Sequence, residues 1–233
     1  MSNELIQSDN KLILEGISEN YIDLILTDPP YQISKKSNFS ISKKENKYHN
    51  KYKKHTIDYG EWDKIDLDWN FYLNQFYRIL KPNGQIIMFY DVFKIGQIKE
   101  MAESIGFKQP RICVWVKTNP TPVNSNSNYL SNAKEYMISF TKKEKPIFNS
   151  KYDNGVYNIP KLDRWESVKH PTQKPLKLME DIILKHSDKG SIILDPFCGS
   201  GSTLVAANNL ERKWIGIENN PEYIDICKSR LNI

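Results

Sequence analysis

Residues Ser191 to Leu194 form a short apolar run that passes into Asp195-Pro196-Phe197-Cys198-Gly199-Ser200-Gly201 and then directly into a helical pattern, Thr203 to Leu210. A buried strand, a turn with glycines one residue apart and an immediate helix leave few folds open. Glycine adopts backbone angles closed to other residues, so such a turn lets backbone amides approach a ligand at a helix N-terminus. A strand from Trp214 to Ile217 follows and ends at Glu218, about 20 positions beyond the first glycine. In doubly wound sheets an acid at that spacing accepts hydrogen bonds from ribose hydroxyls. The pattern predicts a nucleoside-bearing ligand lying across strand ends, met by the turn that opens at Asp195 and runs through Gly199, Ser200 and Gly201, and by Glu218. No Gly-Lys-Ser/Thr follows, which excludes a P-loop, and the third glycine of the dinucleotide fingerprint is missing.

The same strand–helix alternation runs through the rest of the chain. Leu5 and Ile6 begin a short strand that ends at Ser8-Asp9, and Lys11 to Gly16 reads as a helix. Tyr21 to Thr27 is a continuous apolar run stopped by Pro29 and Pro30, the mark of a buried strand. Trp69, Leu73, Phe76, Tyr77 and Leu80 recur at helical spacing, and Lys81-Pro82-Asn83-Gly84 is read as the turn that ends this helix. Gln85 to Tyr90, Val114 to Val116 and Glu135 to Thr141 read as strands, Phe93 to Ile105 as a helix stopped by Gly106. Asn119 to Asn132 is loop, and Lys142 to Lys169 is polar and turn-rich. Pro175 to His186 and Pro221 to Leu231 are helices, the first residue of each a proline, which a first helical turn tolerates. Alternation of this kind predicts an α/β fold, a Rossmann-like, doubly wound and mostly parallel sheet covered on both faces. There is no internal repeat, and a single domain over 1–233 is expected.

A second constellation stands at the end of the Tyr21–Thr27 run: Asp28-Pro29-Pro30-Tyr31. Consecutive prolines fix two φ angles and hold Asp28, the Pro29 carbonyl and Tyr31 in a stiff arrangement where open α/β sheets take their ligands. The chemistry that suits this trio is attack by the exocyclic amine of a nucleobase. That nitrogen is conjugated with its ring and is a poor nucleophile. A carboxylate and a carbonyl, both acceptors, can hold its two N–H groups, and the rate then comes from positioning and charge stabilisation. Tyr31 offers a flat face for an extruded base.

Between Gln32 and Gly60 the composition changes. Lys35, Lys36, Lys43, Lys44, Lys47, Lys51, Lys53 and Lys54 face only Glu45 and Asp58, with tyrosines between them. This segment buries little and is expected to be a mobile basic loop that holds nucleic-acid phosphates, chiefly through Lys35, Lys36, Lys43, Lys44, Lys51, Lys53 and Lys54. The whole chain is mildly basic, at +5. No apolar run approaches the ~18 residues of a spanning helix, and the opening Met1-Ser2-Asn3-Glu4 lacks the features of a secretory signal. A soluble, cytoplasmic chain without membrane contact is expected. Its three cysteines are scattered, and its four histidines lack metal-ligand spacing, so no metal is expected. Cys198 is read as a small packing residue.

Together these residues resemble the beta class of S-adenosylmethionine-dependent DNA amino-methyltransferases, which modify adenine N6 or cytosine N4. The order, Asp28-Pro29-Pro30-Tyr31 first and Phe197 to Gly201 last, is similar to the circularly permuted arrangement of that class within the class I methyltransferase fold. His170-Pro171-Thr172-Gln173-Lys174-Pro175 is similar to the family segment that precedes the glycine turn. The resemblance implies S-adenosylmethionine as cofactor, its adenine ring met by Asp9, its ribose by Glu218, and its methionine carboxylate by Thr172 and Lys174. Phe197 would line the pocket, and Asp28 would lie between target base and methyl donor. It also implies double-stranded DNA as substrate, a cognate restriction endonuclease as partner, a monomer or homodimer, and a target-recognition segment at about 142–169, where Tyr152, Tyr157, Arg164 and Trp165 suit base-edge contacts. An aspartate opening the Pro-Pro-Tyr string is, by resemblance, the adenine pattern, with cytosine N4 as the alternative target. A nicotinamide-dependent oxidoreductase would account for the glycine turn and Glu218 but leaves Asp28 to Tyr31 without a task.

Overall fold

The apolar runs pair into one sheet. In the computed structural model, β1 (Glu4–Gln7), β2 (Ile22–Thr27), β3 (Leu80–Tyr90), β4 (Lys108–Val116), β5 (Lys134–Thr141), β6 (Val156–Asn158), β7 (Ile192–Asp195) and β8 (Lys213–Glu218) stand in the order β1-β8-β7-β2-β3-β5-β4-β6. The first five strands of that order run parallel. β5 is antiparallel to both β3 and β4, and β6 is parallel to β4. The described residues are 3–30, 67–120, 130–162, 167–168 and 172–233. They divide into a unit of Met1–Pro29 with Asp68–Ile233, which holds the sheet, and a unit of Pro30–Leu67. Nearly all of the second unit lies outside the described residues. So do the expectations placed on Tyr31, on the lysines between 32 and 60, and on Arg164, Trp165, His170 and Pro171.

Six helices are described: α1 (Asn10–Gly16), α2 (Trp69–Ile79), α3 (Ile95–Ile105), α4 (Leu176–His186), α5 (Ser202–Asn209) and α6 (Pro221–Leu231). Their ends follow local chemistry. Asp68 caps α2 by accepting from the Phe71 amide at 3.1 Å, Asn220 caps α6 by accepting from Glu222 at 2.9 Å, and Gly106 closes α3 with φ +118°. Strand side chains alternate between the two sheet faces. Leu24, Leu26, Ile87, Phe89 and Ile193 pack with Leu178, Ile182, Leu204 and Ala207 of α4 and α5. The alternates Ile25, Ile86 and Met88 are equally buried, on the side where α1, α2 and α3 pack. A sheet apolar on both faces is the expected doubly wound architecture. Gly216 belongs to this packing, since a Cβ there would come within 2.3 Å of Leu204 Cδ1. Among the described residues no helix is long and apolar enough to cross a membrane.

Three local expectations are corrected. Lys81-Pro82-Asn83-Gly84 does not end at a turn before the strand but lies within β3. Pairing advances only from Ile22 to Leu24 on β2 while β3 runs from Leu80 to Gln85, so this stretch bulges out of register. Its carbonyls are taken elsewhere, Gly84 by the Lys142 amide at 3.0 Å and Pro82 by those of Lys143 and Glu144. The buried Lys142 ammonium also donates to the Leu80 carbonyl at 2.7 Å. The start of the 142–169 segment therefore serves the fold. Within it, Val156–Asn158 adds a strand beside β4, and Tyr157 is 3% exposed in the core while Tyr152 is fully exposed.

Candidate active site

From β2 the chain winds through α2 to β3 on one side, and from β7 through α5 to β8 on the other. The two directions diverge between β7 and β2, the switch point at which open α/β sheets receive ligands. The pairing Leu24↔Ile193 and Ile25↔Leu194 thus brings together two segments far apart in the chain. Their ends are tied by side chains. Thr27 Oγ1 donates to Asp195 Oδ1 at 2.8 Å, Thr203 Oγ1 to Asp195 Oδ2 at 2.6 Å, and the Phe197 amide to Oδ1 at 3.2 Å. Burial pushes the Asp195 carboxyl up to about 6; these three donors pull against that, and the charge of Asp28 adds to it. Asp195, a residue expected at the cofactor, uses both oxygens to build the turn.

The turn itself needs its glycines, with φ +51° at Gly199 and +77° at Gly201. A Cβ on Gly201 would lie 2.9 Å from Cys227 Sγ in α6, and that thiol donates to the Gly199 carbonyl at 3.0 Å. Arg230 of α6 donates to the Ser200 carbonyl at 2.5 Å. Ser200 is itself buried, so it too anchors the turn. Cys198 is buried, and the Cys227 thiol together with burial pushes its own thiol up; it packs and stays protonated.

Around the turn stand the groups that face a ligand. Glu218 accepts from the Gly199 amide through Oε2 at 3.0 Å and from the Asn220 amide through Oε1 at 2.8 Å. The Asn219 amide adds a third donor, and a carboxylate with about four lone-pair sites keeps room for one more. Burial holds this carboxyl above its ordinary range against those amides. The half-buried Phe197 ring lies 5.4 Å from that of Tyr72, whose hydroxyl donates to Asn10 Oδ1 at 2.7 Å. Asn10 in turn donates to the Pro196 carbonyl at 2.9 Å. Asp9 is exposed and caps α1 through the Lys11 amide at 2.9 Å. Asn10 and Tyr72 had no signal in the sequence, being an amide after a strand and one aromatic in a helix rich in them.

Asp28 lies on the β2 side. Lys174 Nζ donates to Asp28 Oδ2, stands 3.3 Å from Glu135 Oε2, and lies over the Phe89 ring at 4.7 Å. Glu135 Oε1 pairs with Lys117 at 2.7 Å. Lys174, expected to meet the methionine carboxylate, here pairs with Asp28. Thr172, half-buried, precedes it by two residues, and the Lys174 carbonyl accepts from Ser202 Oγ at the start of α5 at 3.0 Å. Asp28 Oδ1 is buried and has no hydrogen-bond donor among the described residues. A buried carboxylate oxygen left so is costly. Burial pushes the Asp28 carboxyl up, Lys174 draws it down, and the Glu135 charge raises it again. Burial would raise Glu135 too, but the ammoniums of Lys174 and Lys117 hold it below its ordinary range. Glu135 and Lys117 left no distinct trace in the sequence, since β5 opens on Lys134 beside Glu135 and β4 carries Lys108 and Arg111 before Lys117.

A glycine turn before a helix, an acid ending the next strand and a donor-poor carboxylate at the switch point define an enzyme class: an α/β transferase acting between a nucleoside-bearing cofactor and a polar group. The family described as DNA methylase, N6_N4_Mtase, matches residues 22–229. The type II methyltransferase M2.MboI of Moraxella bovis is 34% identical over 241 residues, 94% of this chain and 84% of its own length. The crystal structure of the M1.HpyAVI–SAM complex has a TM-score of 0.74 at 30% identity and covers 99% of each chain. The cytosine-N4-specific PvuII DNA methyltransferase shares the fold, with a TM-score of 0.72 at 20% identity over 99% of this chain and 86% of that one. The chain belongs to the N6/N4 DNA methylase family, and the oxidoreductase alternative falls away.

Proposed function

We propose that this chain transfers the methyl group of S-adenosylmethionine to adenine N6 in double-stranded DNA. The observation that carries the reading is Asp28 Oδ1, a buried acceptor beside the glycine turn with no donor among the described residues. The chain's own residues fit such a cofactor. Gly199 and Gly201 open the backbone next to it, and Glu218 has acceptor capacity left for a ribose hydroxyl. Phe197 supplies an apolar wall. When bound, S-adenosylmethionine supplies an electrophilic methyl group on a sulfonium.

Asp28 Oδ1 accepts one N–H of the target amine and the Pro29 carbonyl accepts the other, which aims the nitrogen lone pair along the line of transfer. As the nitrogen gains a methyl group it loses one proton, and Asp28 Oδ1 is the acceptor within reach. A carboxyl held above its ordinary range suits that task. Tyr31 stacks on the extruded base, the lysines of 32–60 neutralise phosphates, and the exposed part of 142–169, Tyr152 included, reads base edges. The names of type II methyltransferases among the relatives support a cytoplasmic role beside a cognate restriction endonuclease.

The test is nucleoside analysis of PCR-amplified bacterial DNA after incubation with methyl-labelled S-adenosylmethionine. Label in N6-methyladenine is the expected result. Label in N4-methylcytosine would move the target to cytosine, and no label in either base would reject the reading.

A further inference from the structure

Four alternating charges form a chain beside the switch point: Lys117, Glu135, Lys174 and Asp28. Their side chains are 16%, 22%, 7% and 19% exposed in that order. They come from the end of β4, the start of β5, the segment before α4 and the end of β2, so four separate elements converge on one line. Lys174 is the pivot. It donates to Asp28 through Oδ2, and a second anionic neighbour is Glu135, whose Oε2 stands 3.3 Å away as an ion pair without a hydrogen bond and whose Oε1 is fixed by Lys117 at 2.7 Å. An ammonium has three donors and a flexible stem. Without a second anion on its far side, it can reach both oxygens of Asp28.

We propose that Glu135 is a positioning residue for methyl transfer, holding the Lys174 ammonium on Asp28 Oδ2 so that Oδ1 stays open for the amine of the target base. The inference rests on the reading of Asp28 given above. It accounts for a feature that reading leaves aside, the placement of a carboxylate, Glu135, where it repels the catalytic one. The groups facing Asp28 are Lys174 from the segment before α4, Glu135 from β5 and Asp195 from the end of β7. Asp195 is unchanged in the variants below, so its titration is common to all of them. Glu135 itself faces Lys117 and Lys174, and its charge acts on Asp28.

Removing either end of the far pair moves Asp28 in opposite directions. In Glu135→Gln the repulsion on Asp28 disappears and Lys174 turns wholly to it, so Asp28 holds its proton less tightly. In Lys117→Met the Glu135 charge loses its partner, competes harder for Lys174 and repels Asp28 more, so Asp28 holds its proton more tightly. A role confined to packing produces no such opposition.

The experiment measures kcat against pH for wild type, Glu135→Gln, Lys117→Met and the charge-balanced double variant, on PCR-amplified bacterial DNA with labelled S-adenosylmethionine. Cofactor affinity and the thermal transition are followed in parallel. Glu135→Gln is expected to lower kcat on the order of 10- to 100-fold, to leave cofactor affinity within about threefold, and to move the acid limb about one unit down. Lys117→Met is expected to move it up, and the double variant, which keeps the line neutral should the single variant unfold, to follow Glu135→Gln. Unchanged kcat and acid limb in folded Glu135→Gln, or shifts of one sign in both single variants, would overturn the inference while leaving Asp28 as the acceptor. A wild type that labels no base would instead reject the underlying reading.

Discussion

Thr27→Val removes one hydroxyl and keeps the shape of the side chain, at the point where β2 and β7 are tied together. Thr27 is fully buried and its hydroxyl donates at 2.8 Å to Asp195, 3% exposed. A hydrogen bond to a charged group contributes about 1.5–3 kcal/mol. For a chain of this size each kcal/mol moves Tm by about 2–4 °C, so a loss of about 3–12 °C is expected at pH 7.5. The pH dependence follows from Asp195. Its folded carboxyl titrates at about 6 against 3.8 when unconstrained. Folding therefore favours its protonated form, and stability from this group is lost as pH rises from about 4 through 6, roughly 3 kcal/mol in all. At pH 5 the folded carboxyl is mostly neutral, and the missing donor then costs about 1 kcal/mol, the value for an uncharged pair. The assay is calorimetric unfolding of wild type and variant at pH 7.5 and 5. Equal losses at the two pH values, or none at pH 7.5, would refute the reasoning.

Gly201→Ala places a side chain at φ +77° with its Cβ 2.9 Å from Cys227 Sγ. A loss of about 1–2 kcal/mol from the backbone alone, with weaker cofactor binding as the turn shifts, is expected in urea unfolding and calorimetric titration; wild-type values for both would contradict it. His186, 9% exposed, holds Gln85 Oε1 at 3.0 Å from Nδ1, and burial, with Lys185 nearby, lowers its pKa from 6.5 to about 4. The unfolded histidine takes a proton that the folded one refuses, so stability is whole above about 6.5 and falls by roughly 3 kcal/mol as pH drops to 4. This opposes the trend of Asp195, and His186→Asn should leave the protein more stable at low pH relative to neutral pH than wild type is. A parallel pair of pH–stability curves would be the contrary result.

Features written in short stretches of sequence were legible. The run Tyr21–Thr27 with its prolines, and the Ile192–Gly201 strand and turn, carry their conformation in their own residues. The juxtaposition of the two follows from the winding rules of parallel sheets. What escaped was decided at long range. Lys174 before a helix reads as an anion binder, and only the sheet order brings Asp28 and Glu135 to its ammonium. Asp195 reads as a ligand residue, and its ties to Thr27, Thr203 and the Phe197 amide come into view only in the fold. Tyr157 lies in a three-residue strand too short for any periodicity, and Lys81 to Gly84 has turn chemistry that the sheet absorbs as a bulge. Arg230, which fixes the Ser200 carbonyl, reads in α6 as an ordinary terminal charge.

The most direct test compares wild type with Asp28→Ala, measuring S-adenosylmethionine affinity and label transfer to DNA on the same preparations. The expected result is a transition temperature and cofactor affinity close to wild type, with transfer reduced on the order of 100-fold or more, since one buried acceptor of the reacting amine is gone. Transfer near the wild-type rate by a variant lacking that carboxylate would contradict the account.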